Sequence, residues 1–83
     1  MTFFVYIIYS SKCDKYFVGH TDSIERQIEE HNMRRGGKFS NMCFPWEIVY
    51  KENYKTLSEA IAREKEIIKK SRKYIETLIG KSS

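Results

Sequence analysis

No stretch of this 83-residue sequence is apolar over the roughly 20 residues a helix needs to cross a bilayer. That excludes a helical membrane protein. The longest apolar run, Met1 to Tyr9, is short, begins without basic residues and is not followed by a small-residue cleavage site. It reads as a strand and not as a signal peptide. Cysteine is equally scarce, with Cys13 and Cys43 alone and neither in a Cys-x-x-Cys or Cys/His cluster, so a zinc site is not expected. The pair could join in an oxidising compartment, but without a secretion signal free thiols and a cytoplasmic protein are expected. A single proline, four glycines and no repeat or low-complexity stretch leave no sign of a linker. The chain is therefore read as one domain over residues 1–83, near the lower limit of what folds without staples.

Aromatic residues are plentiful for the length: five Phe, six Tyr and one Trp can furnish a compact core. The net charge of +4 is unevenly distributed. Arg34, Arg35 and Lys38 fall in one loop, and Lys69, Lys70, Arg72 and Lys73 cluster near the C-terminus. Such groups serve either as ordinary solubilising charge or as a surface that faces phosphates.

The pattern along the chain gives an α+β order, ββαβαα. Phe3 to Ser10 is apolar at alternating and intervening positions alike, as in a central strand covered on both sides. A short turn through Ser11, Lys12 and Asp14 leads to a hairpin partner at Tyr16 to His20. Asp22 and Glu25 have the spacing of a capping box and open a helix to about Asn32 or Met33. A long loop with Gly36-Gly37 runs to Pro45, followed by a third strand in which Trp46, Ile48 and Tyr50 alternate with Glu47, Val49 and Lys51. Thr56 and Glu59 form a second capping box and open a helix to about Lys70. Ser71 caps a last short helix ending before Gly80. Together these predict a three-stranded antiparallel sheet, with the first strand central, flanked by three helices.

Three polar residues fall on otherwise apolar faces. Leu57, Ile61 and Ile68 repeat at helical spacing, and Glu64 lies within about 20° of the direction of Leu57. A carboxylate there needs a cation, a hydrogen-bond partner or an opening to solvent. A snorkelling or salt-bridged glutamate satisfies that requirement, and so does a ligand for a hard divalent cation such as Mg²⁺. In the first helix Ile24 and Ile28 mark the inner face and His31 follows on the same side, either as a packing residue or as a group at a cleft. Tyr6, inside the central strand, needs a partner for its hydroxyl if buried.

Val5-Tyr6-Ile7 and Phe17-Val18-Gly19, at this spacing on a hairpin, resemble the two tripeptides that name the GIY-YIG nuclease superfamily. The resemblance continues through Asp22–Asn32, through Gly36-Gly37-Lys38-Phe39 and Pro45–Tyr50, and through Ser58–Glu66 with Ser71-Arg72-Lys73. Nearly the whole chain is covered, in order, and the small stand-alone members are the best match. The resemblance implies hydrolysis of phosphodiester bonds with one divalent metal, Mg²⁺ or Mn²⁺, held by Glu64. It implies that Tyr6 helps to activate the attacking water, that Gly19 is the motif glycine and that His31 belongs to the catalytic group. It implies a nucleic-acid partner, DNA before RNA, with DNA repair as a setting.

Two positions depart from the family pattern. Phe17 stands where the second motif tyrosine belongs, and Tyr16 points to the opposite face of the strand. Gln27 stands where the family has an arginine that would stabilise transition-state charge. Arg26 lies about 100° away around the helix, and Arg34, Arg35 and Arg63 are the other guanidinium groups that could stand in. Two readings follow. One is an endonuclease whose activity is weak or depends on a protein partner, which would also supply targeting. The other is a catalytically degenerate module that binds nucleic acid through its basic residues.

Overall fold

The structure, a computed structural model, describes residues 2–32, 43 and 45–82. The expected order is observed. Strands β1 (Phe3–Ser10), β2 (Lys15–Thr21) and β3 (Glu47–Tyr54) form one antiparallel sheet in the order β2-β1-β3. Three helices flank it: α1 (Ile24–Asn32), α2 (Leu57–Ile68) and α3 (Arg72–Ser82). The loop residues Arg34, Arg35, Gly36, Gly37 and Lys38 lie outside the described residues.

β1 is central because it alone is apolar on both faces: Val5, Tyr6, Ile7 and Ile8 are all buried. One face, with Val5 and Ile7, packs against Ala60 and Ile67 of α2 and Ile75 of α3. The other, with Tyr6 and Ile8, packs against Phe17, Trp46, Ile48 and the α1 residues Ile24 and Ile28. The hairpin turn closes at Asp14, whose φ of 53° is the left-handed conformation that Asp and Asn tolerate best after Gly. Its carboxylate accepts from Tyr9 at 2.8 Å and from Arg72 at 2.7 Å, which fixes the turn to the start of α3.

Several local expectations need correction. The α1 cap is Ser23, whose hydroxyl accepts from the Arg26 N–H, while Asp22 pairs with Arg26 at 2.6 Å. Ser23 wins because Thr21 Oγ1 accepts from its backbone N–H and fixes the entry to the helix. α3 runs through Gly80 to Ser82 instead of stopping short of it. β3 is longer than its alternation indicated, and a bulge breaks that alternation: Ile7 pairs with Tyr50 but Ile8 with Ile48. Ile48 therefore joins the Tyr6 face and Tyr50 the α2 face. On α2, Leu57 and Ile68 are 44% and 57% exposed, and the residues that meet the sheet are Ala60 and Ile67. Small Ala60 lets the helix approach the sheet and so sets its rotation. The caps at Thr56 and Ser71 form as expected, but the Thr56/Glu59 capping box is half made: Thr56 Oγ1 accepts from the Glu59 N–H, while the Glu59 carboxylate accepts from the Thr56 hydroxyl and not from its backbone N–H.

The cysteines also differ from expectation. Cys13 and Cys43 are joined in a disulfide, with Cα atoms 5.4 Å apart. The sequence reading rested on compartment, whereas the fold brings the hairpin turn against the segment before β3. The Ser10 hydroxyl donates to the Cys43 carbonyl across the same junction and accepts from the Cys13 N–H.

Candidate functional site

The site grows from one close approach in the sheet. Tyr6 and Gly19 are cross-strand partners, so the side chain of one stands over the other. A Cβ at Gly19 would lie 2.6 Å from Tyr6 Oη and 2.8 Å from Cζ. Only glycine leaves room for the tyrosine to lean across β2 toward the open edge of the sheet. The ring is 3% exposed and packs beside Phe17, with centroids 6.5 Å apart.

Glu64 arrives from the other face. It lies on the sheet-facing side of α2, about 40° around the helix from Ala60 and about 60° from Ile67. β2 is an edge strand, so this helix can extend a side chain to the sheet margin. There Glu64 Oε1 meets His20 Nδ1 at 2.6 Å, with side chains 20% and 36% exposed respectively. His20 opposes Val5 and so projects to the α2 face, whereas its neighbour Gly19 opposes Tyr6. The edge of β2 thus receives Tyr6 from one face and the His20–Glu64 pair from the other.

The Tyr6 hydroxyl is pushed up to about 12, first by burial, then by the charge of Glu64 and that of Glu30 on α1. At neutral pH Tyr6 therefore keeps its proton and has an O–H to donate. Neither His20 nor Glu30 was marked by the sequence reading. His20 carried a usable signal, since Tyr16, Val18 and His20 share one strand face, and Tyr16 and Val18 pack into the α2-side core. Glu30 carried none.

The remaining anticipated residues are placed as follows. His31 lies in α1 by its backbone, and its side chain is outside the description. Phe17 fills the wall between Tyr6 and Trp46, 6.4 Å from the latter. Gln27 is half-buried on α1. All three described arginines are ion-paired. Arg26 meets Asp22, Arg63 is gripped by both oxygens of Glu52 at 2.9 and 3.1 Å, and Arg72 meets Asp14 and Glu76. Arg63 is held in the Glu52 cluster on the α2 side of the sheet, the face opposite Gln27 and α1. Of the C-terminal basic cluster, Arg72 is engaged in the fold, Lys70 sits over the Tyr74 ring, and Lys69, Lys70 and Lys73 are exposed.

Among the described residues no three His, Cys, Asp or Glu side chains gather into a metal cage. Glu64 Oε2 makes no hydrogen bond among those residues, while Oε1 is fixed by His20. One hard oxygen donor at a partly exposed edge fits a cation of the Mg²⁺ type, which uses one or two carboxylates and completes its shell with water and phosphate oxygens. It does not fit a tightly held structural metal.

A hairpin with its tyrosine crossing a motif glycine, a helix carrying an inward glutamate to the same edge, and the ββαβαα order define a GIY-YIG catalytic domain. That family matches residues 2–78, and the chain belongs to it, a nuclease-type family. Its relatives include the UPF0213 protein of Staphylococcus aureus strain Mu3, 39% identical over 64 residues that cover 77% of each chain. UPF0213 protein SAV0488 of S. aureus strain Mu50 matches to the same extent. The solution NMR structure of the UPF0213 protein BH0048 from Bacillus halodurans superposes with a TM-score of 0.61 at 26% identity, over 96% of this chain and 84% of that one.

Proposed function

We propose that this chain is an endonuclease that hydrolyses phosphodiester bonds, in DNA before RNA, with Mg²⁺ or Mn²⁺ held through Glu64. The observations that support the reading are Tyr6 leaning over Gly19 on the edge strand, across a glycine that cannot be replaced without collision, and Glu64 reaching His20, the next residue of that strand, from the opposite face. In this reading Glu64 Oε2 holds the cation. When bound, such a cation polarises the phosphate and acidifies a bound water. Tyr6, protonated at neutral pH, donates a hydrogen bond to the attacking water or a phosphate oxygen and orients it. Gly19 makes that position reachable, and His31 moves a proton, a role that rests on the sequence alone. Lys69, Lys70 and Lys73 contact backbone phosphates, together with Arg34, Arg35 and Lys38 of the preceding loop. Arg72 holds the hairpin turn and contributes field more than contact.

The cost of Gln27 is then electrostatic, and that of Phe17 a lost hydrogen bond. A guanidinium at the transferring phosphate contributes several kcal/mol in comparable sites, on the order of 10²–10³ in rate. Its loss makes a slow enzyme, or one completed by a protein partner. The cytoplasm is the proposed location, although the Cys13–Cys43 bond is of a kind rare in that compartment.

The test is cleavage of duplex, branched and single-stranded substrates with Mg²⁺ or Mn²⁺. We expect slow cleavage, its abolition by Glu64→Gln, and a rise of at least tenfold in Phe17→Tyr/Gln27→Arg. A second reading, a non-catalytic nucleic-acid-binding module, is favoured by one observation: every described arginine is already paired. No cleavage by either form, with salt-sensitive binding by both, would establish that reading instead.

A further inference from the structure

The His20–Glu64 contact has no counterpart in the motif residues, and it bears on how one carboxylate can hold a cation. Glutamate has three side-chain torsions and loses substantial entropy when held in one conformation. A lone ligand on a partly exposed helix face is therefore poorly oriented unless something fixes it. His20 is suited to do so. It sits on a paired strand directly after Gly19, and its Nδ1 is 2.6 Å from Glu64 Oε1. An ionised carboxylate can only accept, so with Glu64 ionised the contact requires the tautomer with the proton on Nδ1.

We propose that His20 is a positioning residue for the cation site, its Nδ1–H holding Glu64 Oε1 so that Oε2 is presented to the metal. This inference rests on the metal-dependent reading of Glu64. The two ring nitrogens of imidazole point in widely divergent directions, so with Nδ1 on Glu64 the other nitrogen, Nε2, faces away from the carboxylate. One cation cannot bind both Nε2 and Oε2, which places His20 outside the coordination shell. Outer partners of this kind commonly change metal affinity 10–100-fold when removed.

The experiment is Mn²⁺ titration of the full chain, followed by the electron paramagnetic resonance of free Mn²⁺. The variants are His20→Ala, His20→Asn, His20→Gln, Glu64→Gln and Glu64→Ala, each checked for native circular dichroism. His20→Ala should weaken binding about 10–100-fold. His20→Asn, whose amide N–H falls near the position of Nδ1, should recover most of the loss. His20→Gln, whose donor falls nearer Nε2, should recover less. In the metal-free protein, long-range ¹H–¹⁵N spectra should show His20 protonated at Nδ1, a bias that Glu64→Ala, which removes the acceptor, abolishes. Wild-type affinity in His20→Ala, with binding lost in Glu64→Gln, would overturn the role of His20 and leave the metal reading intact. A ¹⁴N nucleus directly coupled to bound Mn²⁺ and lost in His20→Ala would likewise overturn it by making His20 a ligand. No effect of Glu64→Gln would overturn the metal reading, and this inference with it.

Discussion

At the scale of single residues, the chemistry-bearing positions were legible where a polar side chain interrupts an apolar period. Tyr6 and Glu64 stood out in this way, and Glu64 did so even though the helix phase was misjudged. It lies close to both Leu57, which is exposed, and Ala60, which is buried. His20 was missed because a histidine at the end of a short strand looks like a solvent-facing residue until the register across β1 is known. Gly19 was legible as a motif glycine, but its physical reason was not, since that reason is the ring of another strand. It leads to a prediction. Gly19→Ala puts a Cβ 2.6 Å from Tyr6 Oη and 2.8 Å from Cζ, inside a buried contact. Overpacking of this kind costs about 1–3 kcal/mol, and the ring must also move away from the β2 edge. Urea denaturation should show that loss, and cleavage should fall more steeply than stability. Tyr6→Phe removes the nearer clash but not the one at Cζ, so the double variant should recover part of the stability and none of the activity. Full additivity of the two changes would contradict the contact.

At the scale of elements, the hairpin and the caps at Thr56 and Ser71 were readable because they depend on neighbours a few residues apart, whereas the α1 cap fell on Ser23, one residue past Asp22. The β3 bulge and the rotation of α2 were not, because both are set by contacts between elements distant in sequence. The same junction holds a polar cluster that sequence could not assemble. Glu52 of β3 accepts from Tyr50, Tyr54 and the bidentate Arg63 of α2, and Arg63 also donates to Tyr74 of α3. Burial pushes the Glu52 carboxyl up, but the bonds from Arg63, Tyr50 and Tyr54 outweigh it and hold the group below its ordinary value. Tyr50 and Tyr54 are pushed up to about 12, by burial and then by Glu52. A depressed carboxyl contributes stability that is present above its unfolded value, near 4, and is lost as pH falls through the folded value. The acid side of the stability profile should therefore be steeper in the parent than in Glu52→Gln. Arg63→Ala strands a carboxylate that is 17% exposed and should cost about 3 kcal/mol at pH 7. Arg63→Ala/Glu52→Gln should lose less than Arg63→Ala alone. Equal losses would show that the pair acts through packing and not through charge.

At the scale of the whole molecule, a domain of 83 residues buries little surface, and its two helical layers meet the sheet through only nine buried apolar residues among those described. The α1 side is the thinner one: Tyr6, Ile8, Trp46 and Cys43 are its buried members, and the disulfide is part of that layer. The bond spans 30 residues of sequence, joining the hairpin turn to the approach of β3 and so enclosing β2 and α1. A loop of that length implies about 3–4 kcal/mol of stabilisation from restriction of the unfolded chain, a large share of what a domain this size possesses. Reduction should lower the urea midpoint by a corresponding amount, and Cys13→Ser/Cys43→Ser should match the reduced parent. The consequence should be local to the α1 side. Hydrogen exchange in α1 and at Trp46 should accelerate on reduction, while β1 pairing to β3 and the Glu52–Arg63 cluster stay protected. Tyr6 belongs to the loosened layer and Glu64 to the retained one, so reduction should weaken cleavage without removing the His20–Glu64 contact. Uniform acceleration across both layers would mean that the sheet does not separate two energetically distinct halves. An unchanged midpoint would mean that the bond adds nothing to the packing around Trp46.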